Sequence, residues 1–281
     1  MQETIFPYIN PLIQFSIVVT MVSIGMQVTG AQIIGAVSNI GLMTRALLAN
    51  LIILPLVAVM LVWMFSVPQG LAIGFLLVAA SPGAPLIPKL AEVARANLPF
   101  AVGLMFILAV LAIVTTPLTA SVILPLDENI QFDTLRVIQS LIILQLIPLF
   151  SGLGIQRWLP KVKGVLLRPL ILLVNLSIVV IIALVVWRDH QTLFALPWTT
   201  VLAMLLLIGC ALLSGWLLGG PQPGTRKALA LGTSAQSNGL ALLIASLNFP
   251  GMGADIAVVA FGVLNIVINF AVAVYWGRER G

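Results

Sequence analysis

The feature that most constrains this chain is the length of its uncharged apolar segments. Several run for about 20 residues, and a helix of that length crosses the ~30 Å hydrocarbon core of a bilayer. The 281 residues include only 13 Lys+Arg and 8 Asp+Glu, so 7% are charged, against about 25% in an ordinary soluble domain. So few charges cannot cover a soluble globule. The sequence therefore predicts an all-α polytopic membrane protein in a lipid bilayer, and it excludes soluble enzymes, nucleic-acid binders and disordered proteins.

Proline, glycine and charged residues divide the chain into nine predicted transmembrane spans, which form a single membrane domain over residues 1–281. The spans cover residues 10–28, 41–65, 69–95, 98–122, 134–156, 166–187, 198–218, 223–248 and 253–276. The third span is interrupted by Ser81-Pro82-Gly83-Ala84-Pro85 and again by Pro88. The eighth is interrupted by a polar run from Gly232 to Gly239. Both interruptions predict discontinuous helices.

The charged residues are sorted by side of the membrane. If the C-terminus is cytoplasmic, basic residues concentrate in the inside segments, and only Arg136 and Arg188 remain outside. Six of the eight acids also fall outside: Glu3, Asp127, Glu128, Asp133, Asp189 and Asp255. The positive-inside rule then predicts an outside N-terminus and a cytoplasmic C-terminus, as in a protein of a bacterial inner (plasma) membrane.

The two interrupted spans run in opposite directions when nine spans are counted from an outside N-terminus. Interrupted apolar helices in corresponding places of two halves are typical of secondary transporters, whose binding sites lie between the repeats near the bilayer midplane. The sequence therefore predicts inverted repeats with two discontinuous crossing helices. It places the substrate site at their crossing.

The residue types at these breaks suit ligand binding. Prolines remove backbone donors, glycine allows unusual backbone conformations, and the freed carbonyls and helix N-termini can face a ligand. The predicted substrate-binding residues are Ser81, Gly83, Pro85, Pro88, Ser234, Asn238, Gly239, Asn265 and Asn269. The two last asparagines are four residues apart on one helix face, so hydrogen bonding between helices is an equal alternative for them.

Catalytic and metal-binding patterns are missing from the sequence. It has no nucleophile–base pair, no paired carboxylates within a span and no nucleotide-binding loop. His190 is the single histidine, in a predicted outside loop, and Cys210 is the single cysteine, in an apolar run. We therefore predict no enzyme activity, no cofactor and no metal site.

At its two breaks the sequence resembles the bile acid:sodium symporter family, as a divergent member. The matching stretches are Ala80-Ser81-Pro82-Gly83, Leu90 to Asn97, and Gln236-Ser237-Asn238-Gly239-Leu240, with further likeness at Ala49 to Pro55 and Tyr275-Trp276. The resemblance implies a panel of helices 10–28, 134–156 and 166–187. It implies a core of helices 41–65, 69–95, 98–122, 198–218, 223–248 and 253–276, which would rock against the panel.

The resemblance also implies an organic anion as substrate and sodium as coupling ion, but the family's sodium ligands are only partly present. Positions of one site carry Ile87, Pro88, Ala101 and Met105, and the position of a glutamate shared by both sites carries Gly232. The second site would keep Gln236, with Asn50 in place of a glutamine and the carbonyls of Thr233 and Ala235. The first site is therefore expected to be absent, and the second to be neutral and weaker, because carboxylates are strong ligands of hard cations.

Together these features predict a secondary active transporter that moves a small organic solute by alternating access. Two alternatives remain open at this point. One is a sodium-independent transporter, and the other is a non-transport membrane sensor or binding protein on the same scaffold.

Overall fold

The computed structural model describes residues 6–125 and 132–278, and its regular structure within these ranges is entirely helical. Glu3, Asp127, Glu128 and one of the basic residues assigned to the inside, Arg280, lie outside the described residues. The helices in chain order are α1 (Phe6–Gln27), α2 (Gly30–Ser38), α3 (Ile40–Leu48), α4 (Leu54–Met64), α5 (Gln69–Ala79), α6 (Ile87–Val93), α7 (Leu98–Ile123), α8 (Thr134–Leu141), α9 (Ile147–Trp158), α10 (Pro160–Phe194), α11 (Trp198–Leu218), α12 (Pro223–Ser234), α13 (Asn238–Asn248) and α14 (Ala254–Arg278).

The predicted class, an all-α membrane protein, is confirmed. Within the described ranges, 8 helical segments are long and apolar enough to cross a membrane. Most of their boundaries lie within four residues of the predicted ones, and α11 coincides with its prediction. The third predicted span is divided between α5 and α6, each too short to cross a bilayer alone. The count of nine spans and the inverted repeat therefore stay predictions.

Two of the spans contain a π-helical turn, which the sequence did not predict. One turn, Ala49–Ile53, joins α3 to α4, and the other, Ile142–Leu146, joins α8 to α9. A proline follows each turn, at Pro55 and at Pro148. Single π turns inside α-helices are often found at functional sites, because the extra residue displaces neighbouring side chains.

Helix α2 occupies a segment that was expected to be a loop. Thr29 and Gln32 cap it reciprocally, because each accepts a hydrogen bond from the other's backbone N–H. The helix lies directly on α7: a Cβ on Gly103 would be 2.5 Å from the backbone oxygen of Gln32. The glycine therefore allows this close contact.

Helix α10 is longer than the predicted span at residues 166–187, and the loop expected after it is helical as far as Phe194. Asp189 interrupts the helix, with φ −118° and ψ 23°. His190 follows it, and one ring nitrogen lies 3.2 Å from the carbonyl oxygen of Trp187. His190 therefore lies in a helical segment that follows the kink, where the sequence predicted a loop.

The buried centre of the protein contains the eighth predicted span. In the most apolar part of the Pro223–Asn248 segment 89% of residues are buried, against 22% for α10. Helices α1 and α9 cross in backbone contact, because a Cβ on Gly25 would lie 2.1 Å from the oxygen of Leu149. Helix α1 packs mainly on α9 and α10. The division into panel and core remains a prediction.

Candidate substrate and cation site

The two interrupted spans meet at their breaks. The first break separates α5 from α6, and the second separates α12 from α13. The backbone N–H of Ser237 in the second break donates to the carbonyl oxygen of Ser81 in the first, at 2.7 Å. Both serines are buried. The crossing is therefore a direct backbone contact inside the protein.

The first break is supported by α7. The hydroxyl of Thr116 donates to the carbonyl oxygen of Ala80 at 2.7 Å, so α7 satisfies an acceptor at the end of α5. Gly83 has φ +89°, and a Cβ there would lie 2.7 Å from the backbone nitrogen of Ala109 on α7. The hydroxyl of the predicted substrate residue Ser81 donates to the carbonyl oxygen of Leu77, on the preceding helix α5.

The second break is held by α14. The side-chain amide of Asn265 donates to the carbonyl oxygen of Ser234 at 2.8 Å, at the end of α12. The amide of Asn269 donates to the carbonyl oxygen of Asn265, also at 2.8 Å. Both asparagines are buried. Asn265 therefore links two helices in this arrangement, which was one of the two roles foreseen for it.

Three of the four predicted cation-binding residues are joined by hydrogen bonds. The side-chain amide of Asn50 donates to the hydroxyl oxygen of Thr233 at 3.2 Å and to the carbonyl oxygen of Ala46 at 2.8 Å. The amide of Gln236 donates to the carbonyl oxygen of Thr233. Ala235, the fourth, is buried directly after α12. Asn50 comes from the π turn of the second span, so this turn reaches the eighth.

The same residues leave oxygen atoms without partners. In the part of the chain that the structure describes, buried side-chain oxygens lack a hydrogen bond at Asn50, Ser234, Gln236, Asn238 and Asn269. Each such atom destabilises the fold by about 1–3 kcal/mol unless a ligand or water pairs with it. Oxygen atoms are the ligands of hard cations. No group of three or more His, Cys, Asp or Glu able to hold a metal occurs among the described residues, so the set is neutral.

The positions of the other family sodium site are packed with apolar groups. A Cβ on Gly232 would lie 3.0 Å from Leu104 Cδ2 and 3.8 Å from Ile87 Cγ2. Ile87, Ala101 and Met105 are all buried. The place at which the resemblance expects a glutamate therefore faces side chains that cannot bind a cation.

The remaining predicted substrate residues lie at the edge of the crossing. Pro85 and Gly239 are exposed, and Pro88 and Asn238 are partly buried. A Cβ on Gly239 would lie 3.9 Å from Ile17 on α1, and a Cβ on Gly262 would lie 3.3 Å from the amide of Asn238. The second break therefore borders both α1 and α14. Among the described residues, no hydrogen bond links Pro85 or Pro88 to the second break.

Gln145 was not among the predicted site residues, although the structure places it beside the first break. It lies in the π turn before α9 and is 1% exposed. Its amide donates to the carbonyl oxygen of Ala109 at 2.7 Å, and its own oxygen has no partner among the described residues. Ala109 is the residue against which Gly83 packs. An amide shortly before a proline in an apolar span, as at Asn50, is the sequence signal that could have identified it.

A cavity of about 640 Å³ lies between α1, α8 and α13. Its polar lining consists of Gln14, Asp133, Arg136, Ser140 and Asn248, and valine, leucine and isoleucine side chains form the rest. None of its lining residues was a predicted site residue. The sequence could not reveal the cavity, because its walls come from three separated segments.

Comparison with known proteins identifies the family of this chain. The sequence model of the Sodium Bile acid symporter family matches residues 14–211. The chain belongs to this family. The matched region includes the first break and Asn50, whereas the second break lies after it.

Two curated relatives extend the likeness over most of the chain. The uncharacterized sodium-dependent transporter YocS of Bacillus subtilis (strain 168) is 26% identical over 240 residues, which cover 83% of this chain and 72% of that protein. The P3 protein of Bos taurus is 24% identical over 250 residues, which cover 86% of this chain and 52% of that protein. The chain thus spans about half the length of the bovine relative.

Proposed function

We propose that this family member is a sodium-coupled secondary transporter that carries a small organic anion across a bacterial plasma membrane by alternating access. The observation that carries the proposal is the group formed by Asn50, Thr233 and Gln236 where the two breaks meet. Family membership supports a transporter over an enzyme. The name of the Bacillus relative, a sodium-dependent transporter, supports sodium dependence.

The proposed sodium site uses the unpaired oxygens of Asn50 and Gln236. In both residues the amide nitrogen already donates to a backbone carbonyl, which leaves the oxygen free to act as a ligand. Carbonyl groups of Thr233 and Ala235 complete the proposed ligand set. Because the set lacks a carboxylate, it should bind sodium more weakly than a site that contains one.

Sodium would also help an anion to bind at the crossing. The described residues of the crossing carry no cationic side chain, and their unpaired groups are mostly acceptors. A bound cation changes this balance, and the amino end of α13 at the same break adds a partial positive charge. The proposed substrate residues at the crossing, among them Ser81, Gly83, Ser234 and Asn238, would then contact the anion.

Sodium alone provides the first test, because it needs no identified solute. The unfolding midpoint of the purified protein is measured in NaCl, KCl and choline chloride at equal ionic strength. Sodium at ten times its dissociation constant should stabilise the wild type by about 1.4 kcal/mol, and potassium should not. Gln236→Ala should fold and lose this difference. Gln139→Ala, which changes an exposed amide on α8, should keep it.

Uptake into proteoliposomes then tests transport. Labelled carboxylates and sulfonates should accumulate with an inward sodium gradient in the wild type and fail to accumulate in Gln236→Ala. A sodium-specific shift that survives in Gln236→Ala would show that the site is misplaced. Sodium stabilisation without uptake of any tested anion would favour a sensor or binding protein.

A sodium-independent transporter is the second candidate function, and one observation favours it. The apolar packing around Gly232 removes the charge that the resemblance expects at both sodium sites. Equal uptake with sodium and with choline in the external buffer would support this candidate and contradict the proposed coupling.

A further inference from the structure

A largely buried cluster of ion pairs lies away from the crossing of the two breaks. The guanidinium of Arg188 on α10 pairs with the carboxylates of Asp189, beside it, and Asp255, in the first turn of α14. The side chains of Arg188 and Asp255 are only 16% and 18% exposed. Charges this sheltered are screened less by salt than surface pairs are. Loss of Arg188 would leave the carboxylates of Asp189 and Asp255 without its compensating charge in a poorly hydrated place.

This cluster and the cavity lie at opposite ends of the segment that connects α13 to α14. Asn248 ends α13 and lines the cavity, and Asp255 follows it by seven residues. Between them, Phe249 stacks on Phe132, which precedes α8, with ring centroids 5.9 Å apart and planes 8° from parallel. The hairpin from Asn248 to Asp255 is therefore held from two directions: by the phenylalanine near α8 and by the arginine of α10.

The partners of the ion pair belong to helices that alternating access would move apart. Helix α10 corresponds to the predicted panel, and α14 to the predicted core. Arg188 sits directly before Asp189, whose backbone departs from the helix. A displacement of α14 along or away from α10 separates the guanidinium from Asp255, whereas Asp189 travels with Arg188.

We propose that Arg188 and Asp255 form a latch that keeps the Asn248–Asp255 hairpin on α10 and so stabilises the arrangement in which the cavity is open. The latch rests on the alternating access proposed above. The ion pair forms when the core is in the present arrangement, and it breaks when the core moves relative to the panel. Weakening it therefore shifts the protein toward the other arrangement, in which the cavity is closed.

The test measures access to the cavity in the purified protein. Cys210, the single cysteine of the chain, is first replaced in Cys210→Ser, and Ser140→Cys then places a thiol on the cavity wall. In lipid nanodiscs, Arg188→Gln and Asp255→Asn should each slow labelling of this thiol by a bulky maleimide about five- to tenfold, the lower part of the range expected for conformational coupling. Lys89→Gln is the matched control, because it breaks an exposed ion pair within α6 and should leave the rate unchanged.

Reversal of the charges separates a latch from a general loss of structure. The double variant Arg188→Asp with Asp255→Arg restores an opposite-charge pair and should recover labelling to within about twofold of the parent, whereas Arg188→Asp alone should not. Wild-type rates in all single variants would overturn the latch, and so would an exchange that labels as slowly as Arg188→Asp. If the single variants fail to fold, the labelling rate of the folded double variant is compared with that of the parent: a rate within about twofold supports the latch, and a much slower rate contradicts it.

The sodium measurement on the same preparations keeps the two proposals apart. A labelling response without any sodium-specific stabilisation of the wild type would retain the latch and contradict sodium coupling. Sodium stabilisation with unchanged labelling would retain the sodium site and contradict the latch.

Discussion

The sharpest prediction concerns Gly83, whose backbone allows the first break to lie against α7. Gly83→Ala places a Cβ 2.7 Å from the nitrogen and 3.1 Å from the Cα of Ala109, and 3.0 Å from the carbonyl carbon of Leu108. Side-chain ends can rotate away from such a contact, but these are backbone atoms of a buried helix. Forcing them apart should destabilise the protein by about 1–3 kcal/mol, as for overpacking elsewhere.

The backbone conformation adds a second contribution. Gly83 has φ +89°, and a residue with a side chain in this left-handed region is disfavoured by about 1–2 kcal/mol. The two effects together predict a loss of about 2–5 kcal/mol. At roughly 2–4 °C per kcal/mol, the value for chains of about 150–250 residues, the unfolding midpoint should fall by about 4–20 °C.

The assay is thermal unfolding of the detergent-solubilised protein, followed by intrinsic tryptophan fluorescence. Gly209→Ala is the control: this glycine lies in α11, and an added Cβ meets nothing within 4 Å. It should be neutral or gain up to about 1 kcal/mol from helix propensity. Gly83→Ala with the midpoint of the wild type would refute the reasoning, because it would mean that the break does not need this glycine or that α7 moves freely.

Two further predictions concern residues near the same crossing. Gln145→Leu should leave the unfolding midpoint within a few degrees of the wild type. It loses a hydrogen bond to Ala109, worth about 1 kcal/mol, but it also removes a buried unpaired oxygen, and the two effects offset each other. A large fall in the midpoint would show that this oxygen has a partner. Gly232→Ala should fold with stability within about 1 kcal/mol of the wild type, because its Cβ meets only side-chain ends of Leu104 and Ile87. Gly232→Glu should strongly reduce the folded yield by burying an unpaired carboxylate there, and a normal yield with stronger sodium stabilisation would show that the apolar packing rearranges to form a charged site.

The sequence predicted the spans and breaks well because both depend on residues that are close together in the chain. Bilayer thickness sets how many apolar residues a helix must contain, so the lengths of uncharged segments indicate the spans. Proline and glycine act on their own backbone and on the preceding turn, so the positions of the breaks also follow from nearby residues. The predicted bounds of α7 and α11 show how far this local information reaches. Helix α10 extends past both ends of its predicted span, because a helix can continue beyond the apolar stretch that marks the membrane.

The site depends on contacts between distant parts of the chain. Asn50 and Thr233 are 183 residues apart, and their hydrogen bond exists only because the second span packs beside the eighth. The family resemblance placed both residues in one cation group, but residue types alone did not show which polar atoms are already used. Asn265 holds the end of α12, and the hydroxyl of Ser81 donates to a carbonyl oxygen of the preceding helix α5. Gln145 escaped prediction because its environment comes from α7, not from its neighbours in sequence.

The scarcity and placement of charge by themselves determined that this chain is a helical membrane protein, and they predicted a side for each end. The tertiary structure decided what the few polar groups do. A polar atom inside an apolar protein must find a partner, and the folded arrangement determines which atoms have one and which remain free. It also turned Arg188 and Asp255, which the sequence placed at the outside ends of two separate spans, into neighbours. Electrostatic attraction depends on the distance between two charges in space, and this distance cannot be read from their separation along the chain.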